Sequence, residues 1–182
     1  MKDKKKILFG VTGAIGSINA PAYIQQLITD FEVDVVFTKA AGFFINPEGM
    51  KPIANGVYTE AFDLSEEKVP HANLPKEADA FVILPTSANF LSKLANGIAD
   101  DLLSLCALNY EKPIFLAPNM NKVMWEKKSV QRNVELLKND GHIFINESSE
   151  GYEASTGKRI ISEAALPAPR TLQYYLSQEV FV

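Results

Sequence analysis

A chain of 182 residues with an apolar fraction of 47% is long enough to bury one sizeable core. Its net charge of −4 argues against a nucleic-acid or anionic-membrane surface, and the basic start KDKKK is a solvated tail too short to make one. No window reaches the length of a membrane span and no apolar signal region follows the lysines, so membrane insertion is not expected.

KKILFGVT, Lys5 to Thr12, reads as a buried strand ended by a glycine turn. Ile15 to Ile28 has helical spacing, with Pro21 acceptable only in the first turns. VDVVFT, Val33 to Thr38, is a second strand; Asn46 to Gly56 reads as a short helix with loops, and Val57 to Phe62 as a short strand. ADAFVILPT, Ala78 to Thr86, is a further buried strand, and one long helix is expected from Ala88 to Leu108. KPIFLAP is the next strand, 121–139 the next helix, and HIFIN, His142 to Asn146, a last strand. A polar segment, Glu147 to Ala164, precedes a final helix around Pro169 to Ser177.

Apolar strands alternating with helices predict an α/β fold, a doubly wound parallel sheet covered on both faces. Ligands in such folds bind beyond the carboxyl ends of the strands. Four segments stand there: GVTGAIGS, Thr38, PTSAN and PNMN, all small or polar.

GVTGAIGS, Gly10 to Ser17, suits a phosphate on backbone amides, or equally a simple tight turn. It lacks the dinucleotide spacing, and Thr38 stands where an acidic residue would grip a ribose, so a mononucleotide fits better. In PTSAN, Thr86 or Ser87 is expected to cap the following helix. PNMNKVMW is harder to explain as capping alone. If Asn121 caps the next helix, Asn119 is surplus, and Met124 and Trp125 put apolar bulk beside the amides. That combination suits a site gripping a carboxylate or amide against an apolar wall; the alternative is a capped helix with a core tryptophan. His71 lies in an irregular stretch, where a surface role is the ordinary reading, and His142 is less suggestive still. Cys106, the single cysteine, falls on an apolar helix side as a structural thiol and suits a reducing cytoplasm; no metal-ligand spacing occurs. GYEASTGKRI, Gly151 to Ile160, reads either as a mobile lid or as a solvent loop.

Together these segments resemble the homo-oligomeric flavin-containing cysteine decarboxylases, over Lys5 to about Arg159. PTSANFLSKLANGIADDLLS is similar to the family's flavin-binding segment, PNMNKVMW matches its proline–x–methionine–asparagine–x–x–methionine–tryptophan signature, and His71 falls at its active-site histidine. The resemblance implies one flavodoxin-like, Rossmann-like domain over 1–182, with 146–162 as a lid. It implies FMN held by Thr12, Gly13, Ala14, Ile15, Ser17, Thr38, Ser87, Ala88, Asn89, Phe90 and Met120. It implies catalysis by His71 and Asn121, with Asn119, Asn121, Met124, Ser155, Thr156 and Gly157 on the substrate. Ala14 stands where the family usually has serine, so a phosphate contact is either lost or taken over by Ser17. Family members assemble as homotrimers or dodecamers with flavin and histidine at subunit interfaces.

One branch decarboxylates phosphopantothenoylcysteine in coenzyme A synthesis and completes its reaction with a lid cysteine. The other acts on the C-terminal cysteine of ribosomal precursor peptides, as in epidermin and mersacidin biosynthesis. Residues 146–162 contain no cysteine here, and Asn119 and Phe90 lean the same way, so the peptidyl branch is expected. Flavin prenyl transfer and a non-catalytic binding role are the more distant readings.

Overall fold

The structure, a computed structural model, describes residues 4–61, 69–152, 157 and 159–180. Six strands form one parallel sheet: β1 (Lys5–Val11), β2 (Phe31–Phe37), β3 (Gly56–Tyr58), β4 (Ala80–Thr86), β5 (Ile114–Pro118) and β6 (Ile143–Phe144). Their order is β3-β2-β1-β4-β5-β6, the doubly wound Rossmann arrangement. All seven residues of β4 are buried, as a central strand covered on both faces requires.

The helices divide between the two faces. Helix α1 (Ala20–Leu27) and the last helix, α7 (Pro169–Val180), pack Tyr23, Ile24, Leu27, Leu172 and Leu176 against Ile7, Phe9, Val33 and Val82. The other face carries α2 (Pro70–Glu77), α3 (Ala88–Ala95), α4 (Leu102–Asn109) and α6 (Lys128–Asn139), with the four-residue α5 (Lys122–Trp125) leading into α6. Leu74, Phe90, Leu91, Leu103 and Cys106 meet Leu8, Phe81, Ile83 and Leu116 there.

Several elements differ from expectation. The stretch 88–108 is two helices, because Gly97 takes φ +65° and Asp101 starts α4 through a reciprocal cap with Ser104. Lys93 closes the intervening turn by pairing with Asp100 at 2.5 Å and Asp101 at 2.8 Å. Ile15–Asn19 is a 3₁₀ turn, and α1 begins after it with Pro21 in its first turn, where the missing N–H costs little. Helix α2 was not expected: Pro70 opens it and Pro75 sits inside it, and two prolines hide a helical pattern. The expected strand over 57–62 is reduced to β3, with Phe62 outside the described residues.

The polar segment is an antiparallel hairpin, β7 (Glu147–Tyr152) with β8 (Arg159–Ala165). Glu150 and Arg159 form an ion pair across it. Among the described residues no helix is long and apolar enough to cross a membrane, and no group of three potential ligands gathers for a metal.

Candidate active site

The sheet reverses its winding between β1 and β4, and a cavity of about 560 Å³ opens at the carboxyl ends there. Three of the four segments singled out by the strand-end rule meet in its wall. Gly13 to Gly16 come from the turn after β1, Ser87 and Ala88 from the start of α3, and Asn119 to Asn121 with Met124 from the loop after β5. Ser149 of β7, and Ser162 and Ala164 to Leu166 from β8 onward, supply the remaining side. Among the described residues no charged side chain lines it.

Several polar side chains at and around the cavity are engaged in hydrogen bonds within the fold. Thr12, 1% exposed, staples the diverging ends of β1 and β4. Its hydroxyl donates to the Pro85 carbonyl at 2.7 Å and accepts from the Ser87 amide at 2.8 Å. Ser17 is fully buried and its hydroxyl points back to the carbonyls of Thr12 and Ala14, both at 2.6 Å. Both bonds turn the hydroxyl toward the backbone of its own turn, and Ser17 is not among the residues that line the cavity. Thr38, also buried, closes the turn after β2: its hydroxyl accepts from the Ala41 amide at 3.4 Å. Ser87 caps α3 by accepting from the Phe90 amide, leaving the first amides, of Ala88 and Asn89, outside the cap. Phe90 itself is buried in the core.

The glycines explain why the turn fits so closely. A Cβ on Gly13 would come 2.5 Å from the Ala40 Cβ, and one on Gly16 would come 2.6 Å from Leu166 and 2.9 Å from Asn119. Asn119 is not surplus: its Oδ1 accepts from the Gly16 amide at 3.0 Å, and its Nδ2 donates to the Ala164 carbonyl at 3.5 Å.

Asn121 caps α5, its Oδ1 accepting from the Met124 amide at 2.9 Å. The cap fixes the orientation of the amide. With oxygen turned to the helix, the exposed Nδ2 is left as a donor, and it has no partner among the described residues. Met124 is 43% exposed beside it, whereas Trp125 is buried and its Nε1 donates to Glu163 of β8 at 3.4 Å.

His71 lies in the first turn of α2, packed on the α4 side, and its carbonyl accepts from Asn109. It does not line the cavity that Asn121 lines. His142 is half-buried and its Nδ1 accepts from the Ile114 amide at 3.2 Å; burial pulls its pKa below the ordinary value. Burial pushes the Cys106 thiol up to about 12, so it is no nucleophile. Ser155 and Thr156 lie outside the described residues, and Gly157 takes φ +65°. The sequence reading missed Ile18, Asn19 and Phe44, and the hairpin residues in the wall. No spacing or motif in the sequence singled them out.

A family model described as Flavoprotein matches residues 1–173. The chain belongs to the flavoprotein family. Epidermin decarboxylase of Staphylococcus epidermidis is 35% identical to this flavoprotein over 156 residues, 84% of each chain. A probable phosphopantothenoylcysteine decarboxylase of Streptococcus mutans is 38% identical over 150 residues, 80% of this chain and 84% of its own. Among solved structures, MrsD from Bacillus sp. HIL-Y85/54728 superposes with a TM-score of 0.82 at 30% identity, covering 98% of this flavoprotein and 97% of MrsD. The FMN-dependent cysteine decarboxylase SpaF superposes with a TM-score of 0.77 at 30% identity, covering 96% and 97%.

Proposed function

We propose that this flavoprotein oxidatively decarboxylates the C-terminal cysteine of a ribosomal precursor peptide, leaving an aminoenethiol, in a lanthipeptide pathway. The observation that carries the reading is the character of the cavity wall. It combines a close-packed glycine turn, apolar side chains and neutral amides, that of Asn121 with its Nδ2 left as a donor, and among the described residues no charged side chain lines it.

FMN fits that wall. Its phosphate would rest on the amides of the Gly13–Ile15 turn, with Ala88 and Asn89 offering the first amides of α3 and Met120 an apolar contact. Because Ser17 faces inward, backbone rather than hydroxyl would carry the phosphate near Ala14. When bound, FMN supplies a two-electron acceptor for the hydride on the cysteine Cβ.

The chain's own residues hold and desolvate the substrate. The Asn121 Nδ2 donates to the peptide carboxylate, and Met124 keeps water from one side. A neutral donor suits a group that must lose its charge as CO₂. A cation there would stabilise the ionised ground state more than the charge-dispersed transition state. Loss of the hydride and the thiol proton leaves a thioaldehyde whose C=S receives the electrons of the breaking C–CO₂ bond. Protonation of the resulting enethiolate completes a net loss of CO₂ and two hydrogens, with oxygen as the final acceptor. His71 takes the thiol proton. Since His71 is not in the wall of its own chain's cavity, it serves the cavity of a neighbouring copy in a homotrimer or larger assembly.

The coenzyme A branch has a specific observation in its favour, the 38% identity to the Streptococcus mutans relative. Its reaction closes with a lid thiol, and here the single cysteine, Cys106, is buried in α4. Mass spectrometry after incubation with each substrate separates the two. A short peptide ending in cysteine should lose about 46 mass units, CO₂ plus two hydrogens. Loss of CO₂ alone from phosphopantothenoylcysteine, with the peptide unchanged, would overturn the proposal.

A further inference from the structure

The end of the hairpin nearest the sheet is held at four points. Asn146 donates to the Glu163 carbonyl at 2.7 Å, Trp125 to the Glu163 carboxylate at 3.4 Å, Asn119 to the Ala164 carbonyl at 3.5 Å, and Tyr23 to the Pro167 carbonyl at 2.6 Å. Asn119 differs from the other three because its oxygen also holds the Gly16 amide, at 3.0 Å. One carboxamide thus joins the turn after β1 to the strand that borders the cavity.

The two bonds are unequal. The contact to Gly16 has ordinary length, while that to Ala164 sits at the outer limit of a hydrogen bond and changes most with small displacements. Gly16 cannot retreat freely, because it lies against both Asn119 and Leu166, and Leu166 follows directly on β8. A ligand that fixes the turn therefore fixes the carboxamide, and the carboxamide selects the position of β8.

Resting on the flavoprotein reading above, we infer that Asn119 is a positioning residue linking occupancy of the cofactor turn to order in the hairpin that borders the substrate. It acts through Gly16 and Ala164 rather than by gripping the peptide. Linkage makes the effect reciprocal: a peptide that orders β8 tightens FMN, and FMN prepares β8 for the peptide.

Hydrogen–deuterium exchange over 163–167, with and without saturating FMN, tests this without any catalytic readout. In the wild-type protein FMN should slow exchange there by roughly fivefold or more, the usual size of a coupling between sites. Asn119→Ala removes both bonds; Asn119→Asp keeps an acceptor for Gly16 and loses the donor to Ala164, and covers the case in which the alanine variant does not fold. Either variant, still binding FMN, should show less than about a twofold effect over 163–167. Trp125→Phe, which removes a tether unconnected to the turn, should loosen the segment yet keep the FMN response. Unchanged FMN protection in the Asn119 variants, or none in the wild type with FMN bound, would overturn the inference alone. Failure of the wild-type protein to bind FMN would overturn the proposed function as well.

Discussion

Thr12 answers a problem that the fold itself creates. Where the connections from β1 and β4 leave the sheet, backbone groups are parted and buried, and one short hydroxyl serves a donor and an acceptor at once. Thr12→Val keeps the shape and orphans both groups, so denaturant unfolding should show a loss of about 2–4 kcal/mol, while Thr12→Ser should recover most of it. His142 gives a pH dependence with a defined sign. Burial lowers its folded pKa, and its Nδ1 must stay unprotonated to accept from Ile114. The unfolded chain therefore takes up the proton first. Stability should be level above the ordinary value of 6.5 and fall as the pH drops below it; His142→Asn should flatten that slope in urea titrations. At this scale the sequence disclosed residue types more readily than directions. Asn121 was legible as a cap, whereas Asn119, read as surplus to the cap, is held between Gly16 and Ala164. The bonds of Thr12 and Ser17 to backbone were not legible, because a hydroxyl beside a glycine turn gives no sign of which carbonyl it meets.

The elements most easily read were those with a single cause. β4 and β5 are apolar runs buried throughout because both faces are covered; β1 becomes one after its two lysines and β2 after Glu32 and Asp34, and their order along the chain was plain. The break between α3 and α4 was hidden by apolar spacing that runs on through a capped turn. Asp101 starts α4 through its reciprocal bonds with Ser104 and also pairs with Lys93. Asp101→Ala should thus cost about 1–2 kcal/mol in thermal or urea unfolding, mostly from the lost cap, since a partly exposed pair adds little. The β7–β8 hairpin was illegible for another reason. ESSEGY carries no apolar alternation, and only pairing with RIISEAA and anchoring at Glu163 and Ala164 make a strand of it. Helix α2 was concealed by its prolines, and with it the setting of His71.

At the scale of the molecule, the strand order places the cavity. The reversal between β1 and β4 sends α1 to one face and α3 to the other and leaves the crevice where the glycine turn, PTSAN and PNMN converge. That convergence was foreseeable from sequence because the strand-end rule needs only the strands. The place of His71 was not, since the prolines of α2 hide that helix and His71 does not line the cavity of its own chain. The proposed cysteine-decarboxylating site takes Asn121 from one copy and His71 from the next. Co-expression of His71→Asn with Asn121→Ala tests it most directly, by the rate of CO₂ loss from a peptide ending in cysteine. Each variant alone should fall by about 10²–10⁴-fold, and the mixed assembly should regain activity, because it contains sites that join both intact residues. A fully active His71→Asn protein, or a mixed assembly as inactive as its parents, would contradict the account.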